Sequence, residues 1–144
     1  MATQNKVKPI NFSLGKNEMD LLTRLCNVVS VSGDEQKVRQ IVLEEVQSLA
    51  DEVKTDALGN VLVTKRGTAP NRLRVMFSSH MDEVGMMIVK ESEDGTYEFR
   101  VIGCIDPRQL VGKPVLVGRN LVPGVIGAKA IHMTTPEERK VAPD

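Results

Sequence analysis

The sequence predicts an α/β fold in two parts. Residues 1–83 read as the start of an α/β sandwich, and residues 84–144 as a small, incomplete β-barrel or sandwich. Three observations carry this expectation. Two amphipathic helical stretches stand near the front, a continuous apolar run over 73–77 ends on His80-Met81-Asp82-Glu83, and short strands with glycine turns follow residue 84. A strand apolar at successive positions suits a sheet covered on both faces by helices. Short strands punctuated by glycine suit a barrel.

Taken in order, residues 1–16 are polar and aperiodic and are expected to form a flexible arm. Over 17–29, Met19, Leu22, Leu25, Cys26 and Val29 recur at helical spacing. Ser32-Gly33-Asp34-Glu35 has the pattern of a capping box, in which the serine hydroxyl and the glutamate carboxylate satisfy each other's orphan backbone donors. It predicts a second helix to about residue 50, with Val38, Ile41, Val42, Val46 and Leu49 on one face. Glu44 and Glu45 are neighbours in that helix, so they do not face each other, and they read as solvated surface.

Residues 51–56 and 61–64 read as a hairpin around Ala57-Leu58-Gly59-Asn60. A loop over 66–72, containing Gly67, Pro70 and Asn71, leads to the run 73–77, too short for a helix and expected to be a buried strand. Strands are expected at 84–90 and 96–102, with Glu93-Asp94-Gly95 as their turn. Asp106-Pro107 is expected to cap a single helical turn. Further strands are expected at 114–117 and 122–128. Glycines 103, 112, 118, 124 and 127 read as corners and bulges; Gly124-Val125-Ile126-Gly127 precedes no helix, which disfavours a phosphate-cradling loop. Thr135-Pro136-Glu137-Glu138 is a helix start close to the last residue, so the chain is expected to be cut short of a full barrel.

Composition excludes several function classes. Lys plus Arg equals Asp plus Glu at 19 each, so no net field draws nucleic acid or an anionic membrane. With no Trp, one Tyr and three Phe, the core must be aliphatic. Cys26 and Cys104 form no Cys-x-x-Cys pair and are expected to be buried free thiols in a reducing compartment. No apolar stretch approaches the ~18 residues of a membrane span, nor does the start read as a signal peptide, so a cytoplasmic location is expected.

The chemistry-bearing residues cluster after the run 73–77. A site at the carboxyl end of a sheet strand is the common arrangement in open α/β folds. His80 there is the candidate metal ligand, and Asp82 the carboxylate that would accept the proton of its other ring nitrogen and fix the tautomer. A loop histidine paired to a carboxylate is the alternative. His132, in an apolar setting, reads as a half-buried structural histidine at a strand end, with a ligand role as the alternative. Ser78 and Ser79 lie in no Gly-x-Ser-x-Gly elbow and are poor nucleophile candidates.

The segments SVSGDEQKVRQ, DALGNVLV, SSHMDEVGMMI, VIGCIDPRQLVGKPV and GVIGAKAIHMTTPEERK run in order along nearly the whole chain. Together they resemble the amino-terminal portion of the glutamyl aminopeptidase and tetrahedral aminopeptidase family of dinuclear-metal peptidases. The resemblance implies a cytoplasmic aminopeptidase with an α/β/α catalytic domain interrupted by a β-barrel-like dimerisation domain that begins near Val84. It implies two divalent ions, zinc or cobalt, and assembly from dimers toward tetrahedral dodecamers. By position, His80 corresponds to the family's first metal-binding histidine and Asp82 to the catalytic-site acid that orients it. The family's bridging aspartate, glutamate pair, further aspartate and last histidine correspond to positions beyond residue 144. The chain is therefore expected to be inactive alone, its partners being a peptide substrate in the complete enzyme and either further copies or a complementing carboxyl-terminal chain. A non-catalytic oligomerisation fragment, or a gene fragment without function, stands as the alternative.

Overall fold

The computed structural model describes residues 13–71 and 73–137. Of the arm expected over 1–16, residues 1–12 lie outside the described residues and Lys16 already begins a helix; the helix expected from Thr135 runs out of the described residues after 137. The described chain is a mixed α/β structure with three two-stranded antiparallel sheets. It divides into two units, Met1–Glu83 and Val84–Asp144. No described helix is long and apolar enough to cross a membrane.

The first unit carries helices α1 (Lys16–Asn27) and α2 (Gln36–Val46), then strands β1 (Glu52–Thr55) and β2 (Val61–Thr64). Helix α2 packs on β2 and more lightly on α1, and its Val38 is the unit's one buried hydrophobic residue among those described. Helix α2 ends at Val46, and the last expected residues form a hydrogen-bonded turn that leaves Leu49 exposed. Glu44 and Glu45 are exposed as expected, but they share Arg24 of α1, whose two terminal nitrogens each lie 2.8 Å from one carboxylate. Exposed pairs of this kind hold register more than they add stability.

The hairpin β1–β2 follows from its turn chemistry. Asp56 Oδ1 accepts from the backbone N–H of Leu58 and of Asn60, each at 2.9 Å, and Oδ2 accepts from the Asn60 amide at 2.8 Å. Gly59 closes the turn at φ +88°, a conformation that glycine adopts without steric cost.

The run 73–77 corrects an expectation. It forms no strand, and Leu73 and Phe77 are 91% and 95% exposed. An apolar run becomes a buried strand only when neighbouring strands take up its backbone groups and helices cover its faces. None of the described strands pairs with it. The expected burial of the thiols is corrected too, since Cys26 and Cys104 are both exposed. Helix α1 has no buried residue, so the face that carries Cys26 is not covered.

The second unit holds two hairpins. Strand β3 (Gly85–Glu91) pairs with β4 (Tyr97–Ile102), with a register shift between Ile88 and Lys90. Strand β5 (Pro114–Val117) pairs with β6 (Val122–Val125). Between them, the 3-10 turn Pro107–Gln109 is capped by Asp106, which accepts from the Arg108 N–H at 3.1 Å, as Asp-Pro predicts. Leu110 and Ile126 are the unit's buried hydrophobic residues among those described, and the Lys113 carbonyl accepts from the Ile126 N–H. His132 is corrected from a half-buried strand-end residue to an exposed one in the 3-10 turn Ile131–Met133. Strand β6 stops at Val125, so the chain there is already in a turn.

Candidate functional site

Two short segments, fifty residues apart, meet in the first unit. Val31 and Glu83 form an isolated parallel bridge. The Glu83 N–H donates to the Ser30 carbonyl at 2.9 Å, and the Ser30 N–H donates to the Glu83 carboxylate at 2.9 Å. Ser30 is only 4% exposed, so these bonds are sheltered from competing water. This staple sets where the chain from 80 to 83 sits after the irregular run before it.

On that support, His80 and Asp82 come together as their spacing predicts. The His80 Nδ1 lies 2.9 Å from the Asp82 carbonyl oxygen and 3.2 Å from the carboxylate Oδ1. A carbonyl can only accept, so Nδ1 carries the proton and donates to it, with the carboxylate oxygen alongside. In the neutral ring that leaves the Nε2 lone pair free, and the side chain is 84% exposed. A neutral imidazole with an oriented Nδ1–H is the form that ligates a metal through Nε2.

The second carboxylate oxygen of Asp82 has its own partner. The Ser32 hydroxyl donates to Oδ2 at 2.5 Å. That hydroxyl first, and the His80 ring after it, hold the Asp82 carboxyl below its ordinary range. The capping-box expectation is corrected here. Helix α2 is entered through Glu35 with no side-chain cap, and the Glu35 carboxylate accepts instead from the Gly33 N–H at 2.6 Å. Sequence reasoning placed Ser32 as a cap because its local pattern fits one; nothing local signals an acceptor fifty positions away.

His80 and Asp82 line an open cavity of about 150 Å³ together with Arg39, Gly59 and Asn60. Arg39 Nε donates to the Gly59 carbonyl at 2.7 Å, which places its guanidinium against the turn. Among the described residues no group of three or more His, Cys, Asp or Glu is gathered to hold a metal ion. His80 therefore fits one ligand position, with Asp82 behind it, and the described residues do not form a full ligand set.

Comparison with known proteins places these segments in context. Residues 59–144 match the M42 glutamyl aminopeptidase family. The putative aminopeptidase FrvX of Escherichia coli (strain K12) is 33% identical over 125 residues, covering 85% of this chain and 34% of FrvX. A TET aminopeptidase from the marine sediment archaeon Thaumarchaeota archaeon SCGC AB-539-E09 superposes with a TM-score of 0.73 at 33% identity, over 85% of this chain and 34% of that one. A Thermotoga maritima protein described as an endoglucanase superposes with a TM-score of 0.67 at 41% identity, over 75% and 34% of the two chains. The chain spans about a third of the length of the curated relatives it matches.

Proposed function

The chain belongs to the M42 glutamyl aminopeptidase family, and from that membership we propose that it is the amino-terminal part of a metal-dependent aminopeptidase. M42 aminopeptidases are metal-dependent as a class. In this reading residues 1–83 begin an α/β/α catalytic domain, and residues 84–144 are an incomplete barrel of the dimerisation type. His80 is a metal ligand through Nε2, and Asp82 is the carboxylate that holds its ring. The observation that carries the reading is the Nδ1–H of His80 donating to the Asp82 main-chain carbonyl at 2.9 Å, with the Asp82 carboxylate 3.2 Å away and the Nε2 side of the ring open.

A divalent ion held there, zinc or cobalt, supplies Lewis-acid polarisation of the scissile carbonyl and activation of a water. The chain's own contribution is narrower. The Asp82 main-chain carbonyl keeps a proton on Nδ1, so the neutral imidazole offers a lone pair and no competing N–H on the ligand side. The described residues nominate no general base, and a single imidazole does not hold two ions. The lone chain is accordingly read as inactive, and cleavage of amino-terminal residues belongs to a complete protein in the cytoplasm. Exposed apolar residues on both hairpins of the second unit, Met87, Ile88, Leu116 and Val125 among them, support a homo-oligomer.

The test is complementation. Mixing this chain with a polypeptide spanning the other two thirds of its relatives should give chelator-sensitive release of aminoacyl-anilide chromophores, lost in His80→Ala. No gain on mixing would sink the catalytic reading and leave the oligomerisation-fragment reading. The likeness to the protein described as an endoglucanase favours glycoside hydrolysis as a second reading. Activity of the same mixture on a soluble cellulose derivative, without peptidase activity, would select it.

A further inference from the structure

We propose that the run 73–77 is an acceptor strand: a polypeptide corresponding to the two thirds of its relatives that this chain does not cover adds at least one strand along it and a layer over it. The inference rests on the reading of the chain as the amino-terminal part of a longer aminopeptidase, and it names the surface by which the two parts join. The backbone groups of 73–77 make no hydrogen bond to any described residue, and no described strand pairs with them. A row of unpaired N–H and C=O groups is a template for an incoming strand. The side chains fit the same use. In an extended chain Leu73, Val75 and Phe77 share one face and Arg74 and Met76 the other. All four apolar members are bare, Val75 the least so at 70% exposure. The stretch is also tethered at both ends, which lowers the cost of ordering it. Before it, the Arg66 N–H donates to the Asp51 carboxylate at 2.5 Å; after it, Glu83 is bonded twice to Ser30.

The unit's own lack of a core decides the occupant. Among its described hydrophobic residues only Val38 is buried, and helix α1 leaves Met19 and Leu22 exposed as well. A single peptide strand would satisfy an edge of 73–77 and leave its apolar faces in water. A second copy of this chain brings the same shortage, exposing as many bare faces as it covers. A polypeptide of the relatives' remaining length can supply both strands and covering helices, since this chain spans only 31–34% of those proteins. A strand apolar at successive positions needs both.

The probe is the two thirds of FrvX that this chain does not cover, added to the full 15N-labelled chain. In the chain alone, amides 73–77 should exchange with solvent as freely as those of an unfolded peptide, and with the probe they should slow by at least about 100-fold. One added strand protects alternate amides, either 73, 75 and 77 or 74 and 76, whereas two strands protect all five. Phe77→Ala should weaken the complex by about tenfold or more, the effect of losing an aromatic side chain that passes from bare to buried. Val75→Pro takes an N–H out of the ladder and should abolish protection across the run. Neither residue is buried in the lone chain, so both variants should melt with the wild type. A complex whose amides 73–77 still exchange freely overturns the inference, and so does the absence of a complex or a loss of the lone chain's fold in both variants. Protection that rises with the concentration of the chain alone also overturns it, by making a second copy the occupant. The aminopeptidase reading is judged apart, on a covalent fusion of the same two polypeptides. An inactive fusion with a protected run sinks that reading and keeps the docking; an active fusion with an unprotected run does the reverse.

Discussion

Replacing Gly59 by alanine should destabilise the first unit through two separable effects. Gly59 has φ +88°, where a side chain costs about 1–2 kcal/mol. The new Cβ would also overlap the Arg39 terminal nitrogen and sit 2.9 Å from its Cζ, so the guanidinium must leave. That removes the 2.7 Å bond from Arg39 Nε to the Gly59 carbonyl. A bond to a charged group contributes about 1.5–3 kcal/mol, and the 22% exposure of Arg39 puts it at the low end, about 1.5 kcal/mol. Gly59→Ala should then cost about 2.5–3.5 kcal/mol, lowering the melting temperature of a unit this size by at least about 10 °C. Arg39→Met should cost about 1.5 kcal/mol and remove the obstacle, so that adding Gly59→Ala costs only the backbone strain of about 1–2 kcal/mol. Urea unfolding of the four proteins, followed by helical circular dichroism, yields the coupling, expected near 1.5 kcal/mol. Simple additivity within about 0.5 kcal/mol would refute the reasoning, because Arg39 would then not rest on Gly59.

Acid should reveal the Asp56 turn. The Asn60 side chain first, and the backbone N–H groups after it, hold the Asp56 carboxyl below its ordinary value. A group depressed on folding adds stability that is complete above its unfolded pKa, about 3.9, and is lost as pH falls through the folded value. Asp56→Asn should flatten the decline in urea midpoint below about pH 4, and an unaltered acid limb would count against the turn. In the second unit, Leu110→Ala should cost about 2–5 kcal/mol, since this residue is one of two buried hydrophobics among the described residues there. Tyr97, the only tyrosine in a chain without tryptophan, lies on β4 and reports that loss by its fluorescence.

What the sequence by itself determined is what is caused within a few residues. Helix α1 follows from its apolar spacing, and β1–β2 from Asp56 and Gly59 in the turn between them. The 3-10 turn at 107–109 follows from Asp106 before proline, and His80 meets Asp82 because two residues of chain leave them little choice. Tertiary structure decided the rest. The run 73–77 is apolar enough for a buried strand, yet strand formation depends on partners that no residue within the run can supply. Arg24 reaches Glu44 and Glu45 only because α1 lies beside α2. The Ser32 hydroxyl could serve a helix end by accepting from a neutral backbone N–H, or donate to an ionised carboxylate fifty residues on. The charge-assisted bond is the stronger of the two, and only the staple at Val31 and Glu83 brings that carboxylate within reach.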